Sequence, residues 1–447
     1  MNSNTKLAAA IAAVIASAGS GYAVGAVPTL AQANSAPVQL AMAGSSAAKP
    51  AILAALQNNL CGGSANALTV VSAANANFLA VSCFPSSTTG LSFANGTTAV
   101  TVKYRFEGGS VVGALPIVTG KPIATLDLGS AAANYSPASC AGATLCTATV
   151  TGTSATNGID DSFTGAVTKA AVQFGITDVE PGVLVGDNYP SAYLTSVYGT
   201  ASPAQLAGLA HNTIFDQVFG VFVNSSTFSN KNPSLSKAQI TNLLQGNVPD
   251  WTHVEDTNGL AISTAATAVT VTNREAGSGS RTSAAIYFTG DECNASATTI
   301  TDPAGATGDF FSTGDVLARA NVVAGAITYA SIDNLNTTKY PNLVLVAIDG
   351  HTPSNLAAAQ GQYDFWFEAT DVFSPTLAGN GLALANYLEG KMQTIATAPH
   401  VVSILAIPGA GGNAAGLPAA TANGSPTIYV NPFTRIGVSC STPLSGL

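Results

Sequence analysis

The chain has 447 residues, of which 47% are hydrophobic and only 8% are Lys, Arg, Asp or Glu, a balance that supplies a large core and excludes disorder driven by charge. Fourteen basic residues against 23 acidic ones leave a formal net charge of −9. That sign excludes nucleic acid as the main partner, because a phosphate backbone needs a basic footprint, so any anion must be held by a local site.

Lys6 in a short polar start, the apolar run Leu7 to Ala18, and small residues through Ala31-Gln32-Ala33 read as a secretory signal peptide over residues 1–33. Its cleavage is expected near Ala33 or in the earlier stretch Gly21 to Ala26. The apolar run is shorter than the roughly 20 residues that span a bilayer, so the mature protein is expected to be periplasmic or secreted. Six cysteines fit that compartment. Cys140 and Cys146 flank a short loop, Cys61 and Cys83 bracket a helix-to-strand segment, and Cys293 with Cys440 remain as a long-range pair. Free buried thiols are the alternative. No CxxC pair is present and His211, His253, His351 and His400 are scattered, so no metal site is expected.

In chain order, Pro37 to Met42 is a strand, Ala43-Gly44-Ser45-Ser46 a small-residue turn, and Ala47 to Leu60 a helix. Strands follow at Ala67 to Ser72 and Val100 to Phe106, the latter ending in the turn Glu107-Gly108-Gly109-Ser110. A Ser/Thr/Gly/Ala-rich surface insertion occupies about Asn134 to Asp161. The strand at 174–177 ends at Asp178, and Val218 to Val223 looks able to cross between lobes. Ser236 is an N-cap for a helix that stops at Gly246, and the strand Val269 to Thr272 ends at Asn273-Arg274. Tyr363-Asp364-Phe365-Trp366-Phe367-Glu368 reads as core packing, and Ala406 to Leu447 as an extended tail pinned to the body. Repeated strand, small-residue turn and helix point to an α/β sheet.

The window Thr272 to Ser283 carries the chemistry. Its spaced glycines let backbone approach a ligand, its serines add donors, and a helix N-terminus adds a positive dipole end, which together make an oxyanion cradle. Arg274 can grip two oxygens through its planar fork. Catalytic arrangements are missing: there is no G-x-S-x-G elbow, H-E-x-x-H or P-loop, and neither a metal set nor a nucleophile for a phosphoester hydrolase. No enzyme activity and no cofactor are therefore expected.

Arg274 to Arg281 resembles the R-x-x-G-S-G-T-R loop of the phosphate-binding proteins that serve bacterial ABC importers, in the type II periplasmic-binding superfamily. Leu235 to Trp251 resembles that family's helix and following turn, 174–182 its aspartate-bearing strand end, and 325–330 its G-A-I-G-Y segment. The resemblance covers roughly residues 38 to 370. It departs from the family at Ser280, where Thr is usual, and at Ala276, where relatives carry an Asp that pairs with the clamp arginine.

The resemblance implies a two-lobed α/β fold, each lobe a mixed, mostly parallel sheet flanked by helices. Lobe one would hold residues 37–215 and 345–447, and lobe two residues 216–344. It implies that Arg274 clamps phosphate or a similar oxyanion, that Ser278, Gly279 and Ser280 donate from the loop, and that Ser110, Ser45 and Ser46 complete the cage. Asp178 would accept from a protonated oxyanion and so reject sulfate, since a buried carboxylate tolerates a dianion only with a proton between them. The partners implied are phosphate and an ABC permease, with the protein a monomer. The alternative is a secreted structural or adhesion protein that keeps the fold without transport.

Overall fold

The computed structural model describes residues 26–73, 77–106, 108–140, 142–152, 154–155, 158–159, 162–190, 192–293, 299–300, 310–394, 404–405 and 431–445. Most of the expected signal segment and much of the expected tail therefore lie outside the described residues. A short helix, α1 (Leu30–Asn34), is closed by a capping box from Thr29, and buries Leu30 and Ala33. The Thr101 hydroxyl donates to the Ala33 carbonyl at 2.7 Å, which fastens this turn to the body.

The apolar runs read from the sequence form strands β1 (Val38–Gly44), β2 (Leu68–Ser72), β4 (Val100–Arg105) and β5 (Phe174–Thr177), and the structure adds β3 (Phe78–Cys83), which the sequence reading did not assign. The expected crossing strand is longer than its apolar core, β6 (His211–Asn224). The second half of the chain adds β7 (Thr270–Val271), β8 (Ala326–Ser331), β9 (Leu343–Leu345) and β10 (Trp366–Phe373). All belong to one thirteen-stranded sheet, ordered β7-β8-β6-β10-β5-β1-β4-β3-β2 with short strands from the insertion on the outer edge.

The first half of β6, from His211 to Val218, pairs with β10, and the second half, from Phe219 to Asn224, pairs with β8 and β9. One strand thus passes between two lobes, and β10 brings the chain back. Beyond residue 345, Ala347–Ile348 still pairs with Ser234–Leu235, and first-lobe pairing resumes at β10. The lobes are α/β but less parallel than expected. β1 runs parallel to β4 and β5, and β7 to β8, whereas β2, β3 and the crossing strands pair antiparallel. The short link between β2 and β3 cannot make a parallel crossover, which needs a dozen residues or more.

Helices cover both faces: α2 (Lys49–Ala54), continued by a π turn over Ala55–Leu60; α3 (Val111–Thr119); α4 (Lys237–Leu244), capped by Ser236; α5 (Gly279–Ala284), continued by a π turn over Ala285–Thr289; α6 (Thr313–Val322); and α7 (Gly379–Thr394). One core spans both lobes, from Val111 and Leu115 through Val218, Phe219 and Trp251 to Phe365 and Trp366. A second lies between the opposite face of the first lobe and α2 and α7, through Leu40, Ile52, Tyr104 and Leu388. The 363–368 aromatics pack in the core, with Tyr287 stacked on Phe365 at 4.7 Å. Disulfides join Cys61 to Cys83, Cys140 to Cys146 and Cys293 to Cys440. Among the described residues no helix is long and apolar enough to cross a membrane.

Candidate oxyanion site

Three neighbouring parallel strands, β4, β1 and β5, deliver their carboxyl ends to one place. β1 leads to Ser45 and Ser46, β4 to Ser110, and β5 to Asp178. Close packing brings these ends together: a Cβ on Gly175 would sit 1.9 Å from the Gly113 carbonyl oxygen, so strand and helix meet only because neither carries a side chain. The start of α3 is thereby pressed against Asp178.

Asp178 is buried at 2% exposure. Its Oδ1 accepts from the Ser45 hydroxyl, its Oδ2 from Ser280 at 3.5 Å, and its amide donates to Ser110 Oγ at 2.9 Å. Burial raises its carboxyl above the ordinary carboxylate range, against the opposing pull of the Ser45 hydrogen bond and the Arg274 charge. Ser45 is held in turn: its hydroxyl accepts from the Ala48 amide at 3.0 Å, and the Tyr104 hydroxyl donates to its carbonyl at 2.5 Å.

The second lobe contributes the loop after β7. Ser278 caps α5 through the Arg281 amide at 3.4 Å, and Arg281 Nη1 donates to the Arg274 carbonyl at 2.9 Å, which fixes the loop's shape. The loop meets the first lobe directly. The Val111 amide donates to the Gly277 carbonyl at 2.9 Å and the Gly108 amide to the Phe311 carbonyl at 3.1 Å. A Cβ on Gly279 would stand 2.2 Å from Ser110 Oγ and 2.6 Å from Asp178 Cβ, so this position admits only glycine.

Arg274 is 1% exposed. Its Nε donates to the Phe310 carbonyl at 2.9 Å, Nη1 to Thr313 Oγ1 at 2.9 Å, and Nη2 to the Phe311 carbonyl at 3.0 Å. These bonds use three of the five N–H groups of a guanidinium, leaving one on each Nη. Burial lowers its affinity for its proton somewhat, and the Asp178 charge opposes that. Two backbone carbonyls and a hydroxyl are thus the groups that aim the arginine.

All eight residues singled out from the sequence lie here: Ser45, Ser110, Gly279 and Ser280 around Asp178, Ser278 at the cap of α5, and Arg274 and Ser46 through Thr313, whose hydroxyl lies 2.9 Å from that of Ser46. Sequence reasoning missed Thr313, Phe310 and Phe311, which lie far downstream of Arg274. The available signal was Ser312-Thr313-Gly314-Asp315, a helix start in which Ser312 Oγ accepts from the Asp315 amide at 3.2 Å. It also missed Tyr104, an ordinary strand residue.

Thr313→Val, which keeps the shape and removes the acceptor, is expected to cost about 1–3 kcal/mol of unfolding free energy in chemical denaturation. Thr313→Ser should recover most of it. A Val variant as stable as the parent would show that the hydroxyl is not what Arg274 requires.

The chain matches no protein-family model and no curated protein. The solved structures that it resembles include proteins described by their role in ABC-type phosphate transport. One from Clostridium perfringens, described as a phosphate ABC transporter substrate-binding protein and carrying bound phosphate, is 12% identical, with 82% of this chain and 99% of that chain covered and a TM-score of 0.44. An ABC-type phosphate transport receptor from Vibrio cholerae is 12% identical over 78% of this chain and 93% of that one, with a TM-score of 0.39. A phosphate-binding protein from Stenotrophomonas maltophilia is also 12% identical, over 80% of this chain and 83% of that one, at 0.39.

Proposed function

We propose that this protein binds inorganic phosphate or a similar oxyanion between its lobes, outside the cytoplasm, and delivers it to an ABC importer. The observation that carries this reading is Arg274: a buried guanidinium with two N–H groups unspent, among the Ser45, Ser110, Ser278 and Ser280 hydroxyls. The first turns of α6 and of the α5 helix with its π turn open here, and the positive end of a helix favours a negative ligand. Asp178 supplies the discrimination, because it can face an oxyanion that keeps a proton but repels one that keeps none.

Calorimetry of phosphate-stripped protein at pH 7 tests this. Heat with phosphate and none with sulfate is the expected result, and Asp178→Asn should narrow the gap between the anions. No heat with either anion, from protein shown to be folded, would refute binding. The reading as a structural or adhesion protein, which the 8% charged composition favours, would then stand in front.

Export carries its own expectation. The turn Leu30–Asn34 is capped and packed, and a cut at Ala33 would sever it. We expect processing in Gly21 to Ala26, so N-terminal sequencing of exported protein should begin upstream of Leu30. A mature chain starting at Asn34 would overturn this.

A further inference from the structure

The last described segment, residues 431–445, lies across the crossing strands. The Thr434 hydroxyl and Arg435 amide donate to Glu368 Oε1 at 2.5 and 2.8 Å, and the Gly437 amide donates to Glu368 Oε2 at 2.6 Å. Glu368 sits on β10, the strand that returns the chain to the first lobe.

From that anchor the segment reaches both lobes at consecutive residues. The Ser439 amide donates to Glu180 Oε2 at 2.7 Å, and the Ser439 hydroxyl donates to the same oxygen. Glu180 is two residues beyond Asp178, in the first lobe. The next residue, Cys440, is bonded to Cys293, just past the helix that begins at the Ser278 to Ser280 loop of the second lobe. Beside this disulfide, Glu292 Oε1 accepts from the Asn188 amide and side chain at 3.2 and 3.3 Å, a further tie between the lobes.

We propose that this segment is a strap that holds the cleft closed and slows exchange of the bound anion. Neighbouring Cα atoms stand about 3.8 Å apart, so Glu180 and Cys293 cannot separate by more than a residue's slack while both attachments hold. The disulfide cannot let go, so the Ser439–Glu180 contact is the releasable end and opening must break it. The slowed exchange rests on the phosphate reading, whereas the restraint on opening does not.

The test uses selective reduction. Cys293 and Cys440 are exposed, whereas Cys61, Cys83, Cys140 and Cys146 are buried, so a dithiol under native conditions should open only the strap's bond. Small-angle scattering of ligand-free protein is compared for the oxidised chain, the reduced chain and oxidised Glu180→Ala. The two released forms should show a larger radius of gyration, and added inorganic phosphate should contract them. Phosphate dissociation from them should be faster by about tenfold, a typical size for coupling between sites. Equal radii and equal dissociation rates in all three would overturn the strap. Should reduction unfold the chain, Glu180→Ala decides alone. Should no form bind phosphate, the functional reading fails while scattering still decides the restraint.

Discussion

Replacing Arg274 with Ala is expected to weaken phosphate binding by at least about a hundredfold, the equivalent of losing two charge-assisted hydrogen bonds at roughly 1.5–3 kcal/mol each. No neighbouring cation takes over the fork geometry: Arg281 spends Nη1 on the Arg274 carbonyl. The variant also strands the Phe310 and Phe311 carbonyls and Thr313, so circular dichroism must first show it folded. Arg274→Lys is the sharper control. It keeps the charge but offers a point donor in place of a planar fork, and should recover only a small part of the affinity. Phosphate affinity within about threefold of the parent in the Ala variant would move the site elsewhere.

The second large effect is expected far from the ligand. Arg435 is buried, with Nε on the Trp366 carbonyl at 3.2 Å, Nη1 on the Ser441 carbonyl at 2.7 Å, and its guanidinium 4.3 Å from the Phe367 ring centre. Beside it lie Glu368 and Asp216, paired across β6 and β10. Burial and the Glu368 charge push the Asp216 carboxyl well above its ordinary value, while Arg435 pulls it back. Arg435→Ala removes the cation from this pair, and breaking a buried charge cluster on one side costs about 3–5 kcal/mol.

The sign of the pH dependence follows from the direction of the shift. A carboxyl whose folded value is raised adds stability that is present below its unfolded value of 3.8 and is lost as pH rises through its folded value. The Arg435→Ala penalty should therefore be larger at pH 8 than at pH 5, where Asp216 keeps more of its proton. Urea denaturation at both values reads this directly. A penalty larger at pH 5 would show that Asp216 is not the group left exposed.

Much of the site was legible because each part was local. Ser45, Ser110 and Asp178 follow apolar runs that could only be strands, and strand ends in parallel sheets collect at one edge. The Arg274 to Arg281 loop carried glycines whose spacing has a physical use. What stayed hidden depended on pairing between distant segments. Nothing in Phe310-Phe311-Ser312-Thr313 announces that two carbonyls and a hydroxyl will aim an arginine 36 to 39 residues upstream. The tail was readable as pinned to the body, but Glu368 looked like the end of an aromatic core segment rather than the pin. The strand directions were hidden for a related reason: apolar alternation says that a strand forms, not which neighbour it takes.

Two of the helices beside the site share a construction. The helix after β1 and the helix after Arg274 each widen to a π turn at the far end, and each is followed shortly by a disulfide cysteine, Cys61 or Cys293. A helix riveted at its far end cannot slide along its axis like a piston. The N–H groups at its near end therefore keep a fixed height above the sheet, and under the proposed function each lobe would offer an anion a preset half-shell that can be tilted but not lengthened.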